Sequence, residues 1–466
     1  MDNESEINSE QNNPVDTVSN IHSDAAELDV ERSKKELQDN QEVVKVPLGQ
    51  NELEQSMESS FSGKLTWNLR QADQPVVSRE LTGSINVEIK GFDKIGDGMG
   101  AYVLFTIITT TDIPVFRSKE LIVKRRFSDF LGLYQKLLDA YSPKGILVPP
   151  PPDKQNLDSN KYKIVKDSFK ENEFLEQRRV ALLHFLENLI RHPNLRTDPI
   201  LREFLEFEGT LQKATNTQAI SSSTASKFLK TVGDAFSRLS TQSDDSDEYF
   251  FEKTQQLNAL ERQFTRIMHS FNSLAANQSE LSCAVVALTV SLEQLSTVEQ
   301  ENHLAVDLKG LSDVYSVIGK HEAVRAQAES VYLCEMSRSI VATIQAAKML
   351  LEERSKAFRR WKETEESLGA KRAQKMKLEL SGRIDSEKSN FLQAQIQVIE
   401  QNSEECKTKF NAMCKTMKEE FKRFELHRFY DLRASMLSYL EVLLSVEQKN
   451  EEAWENYLQR LRSGTL

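Results

Sequence analysis

Two stretches decide how this chain is interpreted: VKRRFSDF at residues 123–130 and VPPPPDK at residues 148–154. In the first, a short apolar run ends in three cations, and Phe127 follows where a strand pattern gives way to a helical one. An arginine at such a junction can donate two hydrogen bonds to one phosphate, and an aromatic ring beside it can pack under a sugar-like ring. The second stretch places Lys154 after a rigid proline segment, and an arginine pair follows in a later amphipathic pattern. Three cationic points from three segments suit a ligand with phosphate at two ends.

The residues around these stretches, 83–208, predict a small α+β domain. Alternating and β-branched runs predict three strands, and a glycine-containing turn is expected over 91–100. Apolar residues at helical spacing follow Ser128 and Asp129, which can cap a helix. The predicted strands are 85–89, 102–110 and 121–123, and two further helices are expected at 173–191 and 199–207.

The C-terminal half predicts three long helices over residues 243–462. All 11 prolines lie at or before Pro199, so helices there can be long. Apolar residues recur at alternating steps of three and four, which is a coiled-coil pattern. Each helix should have about 55 to 75 residues and a length of about 80 to 110 Å. Packed antiparallel, they would form a rod whose exposed apolar seam favours pairing with another chain.

Residues 1–80 predict a disordered acidic arm. They carry 17 acidic and 7 basic residues, hence nearly all of the net charge of −11, and few aromatic residues. The N-terminus does not resemble a signal peptide, and no run approaches the roughly 20 consecutive apolar residues of a membrane span. The four cysteines form no CxxC pair, which favours reduced thiols in a cytosolic protein.

Taken singly, a KRR triplet is usually a solvated strand end, and four prolines are usually a linker or a ligand for a proline-reading domain. The order RRFSDF, PPPPDK and EFLEQRR, however, resembles the phox-homology (PX) domain, and the whole of 83–462 resembles the sorting nexins that add a C-terminal BAR domain. The resemblance implies a disordered N-terminus, an α+β PX domain with a three-stranded sheet, and an all-α BAR domain of three antiparallel helices. The implied boundaries are 1–80 for the arm, 83–208 for the PX domain, 219–242 for an amphipathic linker helix and 243–462 for the BAR domain.

The resemblance also assigns a phosphoinositide site. It implies that Arg126 binds the 3-phosphate of phosphatidylinositol 3-phosphate and that Phe127, where most PX domains have tyrosine, stacks on the inositol ring. Lys154 would hold the 1-phosphate, and Arg178 the free 4- and 5-hydroxyls.

Two segments are candidates for membrane insertion. Residues 156–169 contain Tyr162, Ile164 and Val165 among lysines; in the family this loop dips into the bilayer, and the alternative is an ordinary surface loop. The segment KFLKTVGDAFSRLS, 227–240, has one apolar helical face flanked by cations, which suits an interfacial helix. The alternative is a linker helix that packs on a neighbouring domain. The apolar face consists of Phe228, Leu229, Val232, Phe236 and Leu239.

A basic cluster begins with Lys371 and Arg372 near the end of the second long helix. On an elongated dimer such a cluster can attract anionic lipid, and the resemblance places these two residues where the family contacts membrane. The alternative is an ordinary solvated helix face.

These features predict a peripheral membrane protein rather than an enzyme. The histidines have neither metal-ligand spacing nor a nucleophile motif nearby, the glycines match neither GxGxxG nor a P-loop, and no cofactor is expected. The resemblance implies a cytoplasmic protein on early endosome membranes and tubules, acting in retromer-linked endosome-to-Golgi sorting. Its partners would be phosphoinositide-containing membrane, a second PX–BAR sorting nexin in a homodimer or heterodimer, and the cargo-recognition subunits of retromer. Nucleic acid is not expected. The competing interpretation is a coiled-coil scaffold whose PX-like domain mainly binds proteins.

Overall fold

The computed structural model describes residues 83–96, 101–152, 168–211, 248–380 and 386–463. The described part begins with a small α+β domain and continues into long helices, as the sequence predicted. The acidic arm and the candidate interfacial helix lie outside the described residues.

The α+β domain contains an antiparallel sheet of order β1-β2-β3. Its first strand is longer than predicted, because a register shift between Ile89 and Gly91 lets pairing with β2 continue to Ile95. Much of the predicted turn over 91–100 is therefore strand. The strands are β1 (Ile85–Ile95), β2 (Tyr102–Thr111) and β3 (Glu120–Arg126).

Three helices cover this sheet and close its core. Phe105 of β2, Phe130 and Phe204 are fully or almost fully buried and pack edge to face through Phe130. The first helix begins at Phe127, so Ser128 and Asp129 lie inside its first turn instead of preceding it. The helices are α1 (Phe127–Tyr141), α2 (Ser168–Arg191) and α3 (Pro199–Glu206).

The helical half contains three antiparallel helices, the second of them interrupted by one π-helical turn. Antiparallel packing follows from cross-helix pairs: Ser282 bonds to Gly319 and, further along, Ser312 bonds back to Thr289. The apolar core of this bundle runs through Leu257, Ile344 and Phe421. The helices are α4 (Glu248–Val298), α5 (Asn302–Ala328), the turn Glu329–Cys334, α6 (Glu335–Leu380) and α7 (Ser386–Ser463).

The helix α4 is also long and apolar enough, by length and composition alone, to cross a membrane. Only 6% of its most apolar window is buried within the chain. Polar residues such as Ser282 and Thr289 interrupt the apolar run, and Ser282 donates a 2.9 Å hydrogen bond to the Gly319 carbonyl of α5. Packing in a coiled coil therefore accounts for the polar positions, while the apolar ones remain exposed for a partner.

The α+β domain packs directly on α6 and α7. Gly145 has a φ of +83°, and a Cβ there would lie 2.6 Å from the Met413 carbonyl oxygen of α7, so only glycine fits. Next to it the Nε2 of the buried His192 lies 3.0 Å from the Glu420 carboxylate, and Arg191 pairs with Asp431 at 2.8 Å. We call this contact between the two halves the joint.

Candidate functional site

Arg126 is the last residue of β3, and an acidic residue one turn into α1 fixes its side chain. Asp129 accepts a 3.0 Å hydrogen bond from the Arg126 Nε through Oδ1 and another of 3.0 Å from the Arg126 backbone N–H through Oδ2. The Arg126 side chain is 26% exposed. Among the described residues no acceptor is recorded for its two Nη groups, so a guanidinium fork is held in place with donors left for an anion.

Phe127 and Arg178 meet across the space between α1 and α2. The Arg178 guanidinium carbon lies 4.7 Å from the centre of the Phe127 ring, which is partly buried against the core. A second ring, Phe174 of α2, lies 4.6 Å from the same guanidinium carbon. These distances are within the range of cation–π contacts.

The structure therefore brings Arg178 of α2 against Phe127, the chain neighbour of Arg126. Lys154, the fourth residue assigned to the pocket, lies outside the described residues. So do both candidate insertion segments, whose residues are Tyr162, Ile164, Val165, Phe228, Leu229, Val232, Phe236 and Leu239.

The arginines adjacent to the pocket residues have structural roles. Arg125 is 1% exposed, and its Nε donates a 2.9 Å hydrogen bond to the Phe204 carbonyl at the end of α3. Burial lowers the pKa of Arg125. Arg179 pairs with Glu176 and donates a 2.7 Å hydrogen bond to the Ile89 carbonyl at the irregularity in β1. In each arginine pair one side chain faces the candidate pocket and the other holds the fold together.

Sequence reasoning missed two contributors to the pocket. Asp129 was interpreted as a helix cap, although it also binds the Arg126 side chain. Phe174 was given no role, although it stacks on Arg178. The available signals were weak: a spacing of three between Arg126 and Asp129, and of four between Phe174 and Arg178, is the spacing of neighbouring side chains on a helix.

The basic cluster lies near the end of α6, where α6 packs on the start of α7. Lys371 is half-buried and Arg372 is exposed. Arg372 forms a 2.7 Å ion pair with Glu400 of α7, so part of its charge is neutralised within the chain. The arrangement leaves a partly compensated basic surface at this end of the helices.

One stripe of large apolar residues on α4 stays exposed. Its members recur every seven residues and therefore lie on one face of a coiled-coil helix. On α7, Met436, Leu440 and Leu444 are exposed as well. We call these residues of α4 and α7 the apolar seam. The stripe on α4 is Ile267, Leu274, Leu281, Leu288 and Leu295.

A packed α+β domain that carries a cluster of cationic and aromatic side chains, joined to a long antiparallel three-helix coil, defines a PX–BAR membrane-associated protein. Two family models match the chain in the same order. The PX domain model matches residues 113–208, and the model described as "Vps5 C terminal like" matches residues 225–460.

The chain belongs to the sorting nexins that combine a PX and a BAR domain. It is 32% identical to sorting nexin-1 of Mus musculus over 376 residues, covering 80% of this chain and 71% of the mouse protein. It is 31% identical to sorting nexin-2 of Bos taurus over 374 residues, covering 80% and 72%. Members of this group bind phosphoinositide-containing membranes and act in membrane-associated sorting and curvature.

Among solved structures, the cryo-EM structure of the SNX-BAR Mvp1 tetramer shares 18% identity, with a TM-score of 0.37, and covers 80% of this chain and 99% of that one.

Proposed function

We propose that this protein binds phosphatidylinositol 3-phosphate on endosomes and senses or induces membrane curvature in retromer-linked endosome-to-Golgi cargo sorting. The observations that support the proposal are the Arg126 side chain, fixed by Asp129, and the contact between Arg178 and the ring of Phe127, the next residue in the chain. Arginine forks bind phosphate, and an aromatic face packs on an inositol ring. Lys154 is proposed to bind the 1-phosphate.

The helical half supports the curvature part of the proposal. The heptad stripe on α4 fits a second helix, so we propose a dimer with another copy or with a related PX–BAR sorting nexin. In such a dimer two pockets and two basic clusters act together, and weak contacts to one membrane reinforce one another. Lys371 and Arg372 are proposed to contact anionic lipid, and the candidate insertion segments to enter the bilayer surface.

The remaining parts of the proposal follow from family membership. We propose a cytoplasmic protein, peripheral on early endosome membranes and tubules, which recruits retromer cargo-recognition subunits and performs no catalysis. Both curated relatives considered above are sorting nexins, and the chain matches them across the PX and BAR regions alike.

Flotation on liposomes of several diameters tests the proposal. The full chain should float with phosphatidylcholine liposomes that contain phosphatidylinositol 3-phosphate, more strongly on the smaller ones, and stay in the soluble fraction with liposomes that lack it. Arg126→Ala should lower binding at least about tenfold, since it removes a charge-assisted contact to phosphate. Unchanged circular dichroism would exclude unfolding. Equal binding of wild type to liposomes with and without the lipid would refute the proposal and favour the protein-binding scaffold.

A further inference from the structure

Arg178 is held between two aromatic rings that come from different helices. Phe127 is the first residue of α1, and Phe174 precedes Arg178 by one turn of α2. The guanidinium carbon lies 4.7 Å from one ring centre and 4.6 Å from the other. Leu175, next to Phe174, is 5% exposed, so this turn of α2 is anchored in the domain.

Two cation–π contacts restrict the motion of the Arg178 guanidinium more than a single contact does. A planar guanidinium stacks on aromatic faces, and a side chain held in this way loses little further freedom when it forms hydrogen bonds. Immobilising a free, rotamer-rich side chain on binding costs affinity, whereas a side chain ordered beforehand avoids that cost. Phe127 alone cannot supply this effect, because its ring is also proposed to stack on the inositol.

We propose that Phe174 is a positioning residue for headgroup binding: it holds the Arg178 guanidinium in the orientation that the inositol hydroxyls require. This inference rests on the proposed function, because it assigns Phe174 to the same pocket. Phe174 itself does not contact the headgroup; it acts through Arg178.

The test measures binding of soluble short-chain phosphatidylinositol 3-phosphate to the full chain by calorimetry. Phe174→Leu and Phe174→Met keep apolar bulk and remove the π face, and each should weaken binding about three- to tenfold, the range that corresponds to immobilising one rotamer-rich side chain on binding. Phe174→Tyr keeps the face and should bind within about twofold of wild type.

A double-mutant cycle separates positioning from a structural role. If Phe174 acts through Arg178, Phe174→Leu should have no further effect once Arg178→Ala is present. Hydrogen exchange along α2 should be unchanged in Phe174→Leu.

The outcomes are distinguishable from those for the proposed function. If wild type fails to bind phosphatidylinositol 3-phosphate, the proposed function fails and the present inference falls with it. If wild type binds and Arg126→Ala does not, yet Phe174→Leu binds like wild type, only the role of Phe174 is wrong. Full additivity with Arg178→Ala, or loss of binding in Phe174→Tyr equal to that in Phe174→Leu, would also overturn it.

Discussion

At the scale of single residues, Arg125 and Arg126 are neighbours with opposite tasks. Strand alternation turns their side chains to opposite faces of β3. Arg126 keeps 26% of its side chain exposed, while Arg125 is buried and bonds to the Phe204 carbonyl within α3 and to the Gly209 carbonyl after it. Phe204 contributes both a carbonyl acceptor and a ring under the same guanidinium. The bland interpretation of KRR as a solvated strand end is therefore wrong for Arg125.

We expect Arg125→Met to destabilise the PX domain by roughly 2 to 4 kcal/mol, because it leaves buried carbonyls without a donor. Hydrogen exchange of the amides in α3, Pro199–Glu206, measures the effect locally. Arg126→Met is the matched control, with the same substitution one residue along: its exchange should stay near wild type while lipid binding falls. Faster α3 exchange in Arg126→Met than in Arg125→Met would contradict this division of tasks.

At the scale of elements, the sequence predicted which helices and strands exist better than it predicted their ends. Heptad and alternating patterns predict helices and strands correctly because each pattern reflects the burial of one face over many residues. The end of β1 was missed because pairing through Gly91 depends on β2 and not on local pattern. The start of α1 was missed because Asp129 caps the helix from within its first turn.

The π-helical turn shows how an irregularity can be hidden in a regular pattern. Ile318 and Ile340 are both buried and lie three heptads and one residue apart. The turn Glu329–Cys334 takes up the extra residue, so the apolar faces of α5 and α6 both stay against the bundle. Ser435 of α7 donates to the Tyr332 carbonyl within this turn, and Tyr439 donates to the buried Glu329 at 3.2 Å. The sequence contained the phase shift, but not its location.

The basic cluster of α6 gives a prediction about curvature. Reversing Lys371 and Arg372 to glutamate should reduce tubulation of anionic liposomes at least about tenfold, since each basic residue near such a surface contributes about 1 kcal/mol. The loss should be largest at low salt, because salt screens exposed charges. The variant should remain folded, since the Arg372–Glu400 pair that it breaks is more than half exposed.

Dimerisation is the control for that variant. The cluster lies on α6, whereas the exposed stripe lies on α4, so light scattering should give the wild-type mass. A monomeric variant would attribute the lost tubulation to assembly and not to membrane contact.

At the scale of the whole molecule, the joint decides whether the two halves act as one body. None of it could be read from the sequence, because His192 and Glu420 are 228 residues apart and no periodicity connects them. The buried His192 also accepts a hydrogen bond from the Asn194 backbone N–H through Nδ1, and its Nε2 lies 3.0 Å from Glu420 and 3.1 Å from Arg423 Nη1. Leu147 and Val180 of the PX domain belong to the apolar core of the helical half, so the joint is packed as well as hydrogen-bonded.

Burial shifts the pKa values of His184, His427 and Glu187 at the joint, and these shifts act in two directions. Burial lowers the pKa of His184 to about 4, and the nearby Arg191 lowers it further. Burial also lowers the pKa of His427 to about 4, with contributions from Arg191, Arg423 and His192. It raises the pKa of Glu187 to about 7. The Asp431 carboxylate opposes the lowering of the pKa in both histidines and adds to the raising of the pKa in Glu187. The residues of α6 that line the cavity between His184 and His427 are uncharged: Met336, Ser339, Ile340 and Thr343.

The sign of the pH dependence follows from these directions. A closed joint binds fewer protons at the two histidines than an open one, so acidification below pH 6.5 favours opening. Glu187 acts in the opposite direction: the closed joint binds more protons at this carboxyl, so a fall in pH from about 7 towards the ordinary pKa of a glutamate favours closing. Two histidines outweigh one carboxyl, and the ratio of open to closed joint should rise about tenfold from pH 7.5 to pH 5. Hydrogen exchange of residues 142–148 and 188–196, corrected for its intrinsic pH dependence, measures that ratio.

Glu187→Gln tests this balance directly, because it removes only the carboxyl that favours closing of the joint at low pH. Without the carboxyl, the rise in the open form between pH 7.5 and pH 5 should increase from about tenfold to several hundredfold. Replacing His184 and His427 together by asparagine should reverse the trend, since Glu187 alone then responds to acid and closes the joint as the pH falls. A wild-type joint that exchanges equally at both pH values, with Glu187→Gln identical to it, would show that these three groups keep their ordinary protonation in the closed state.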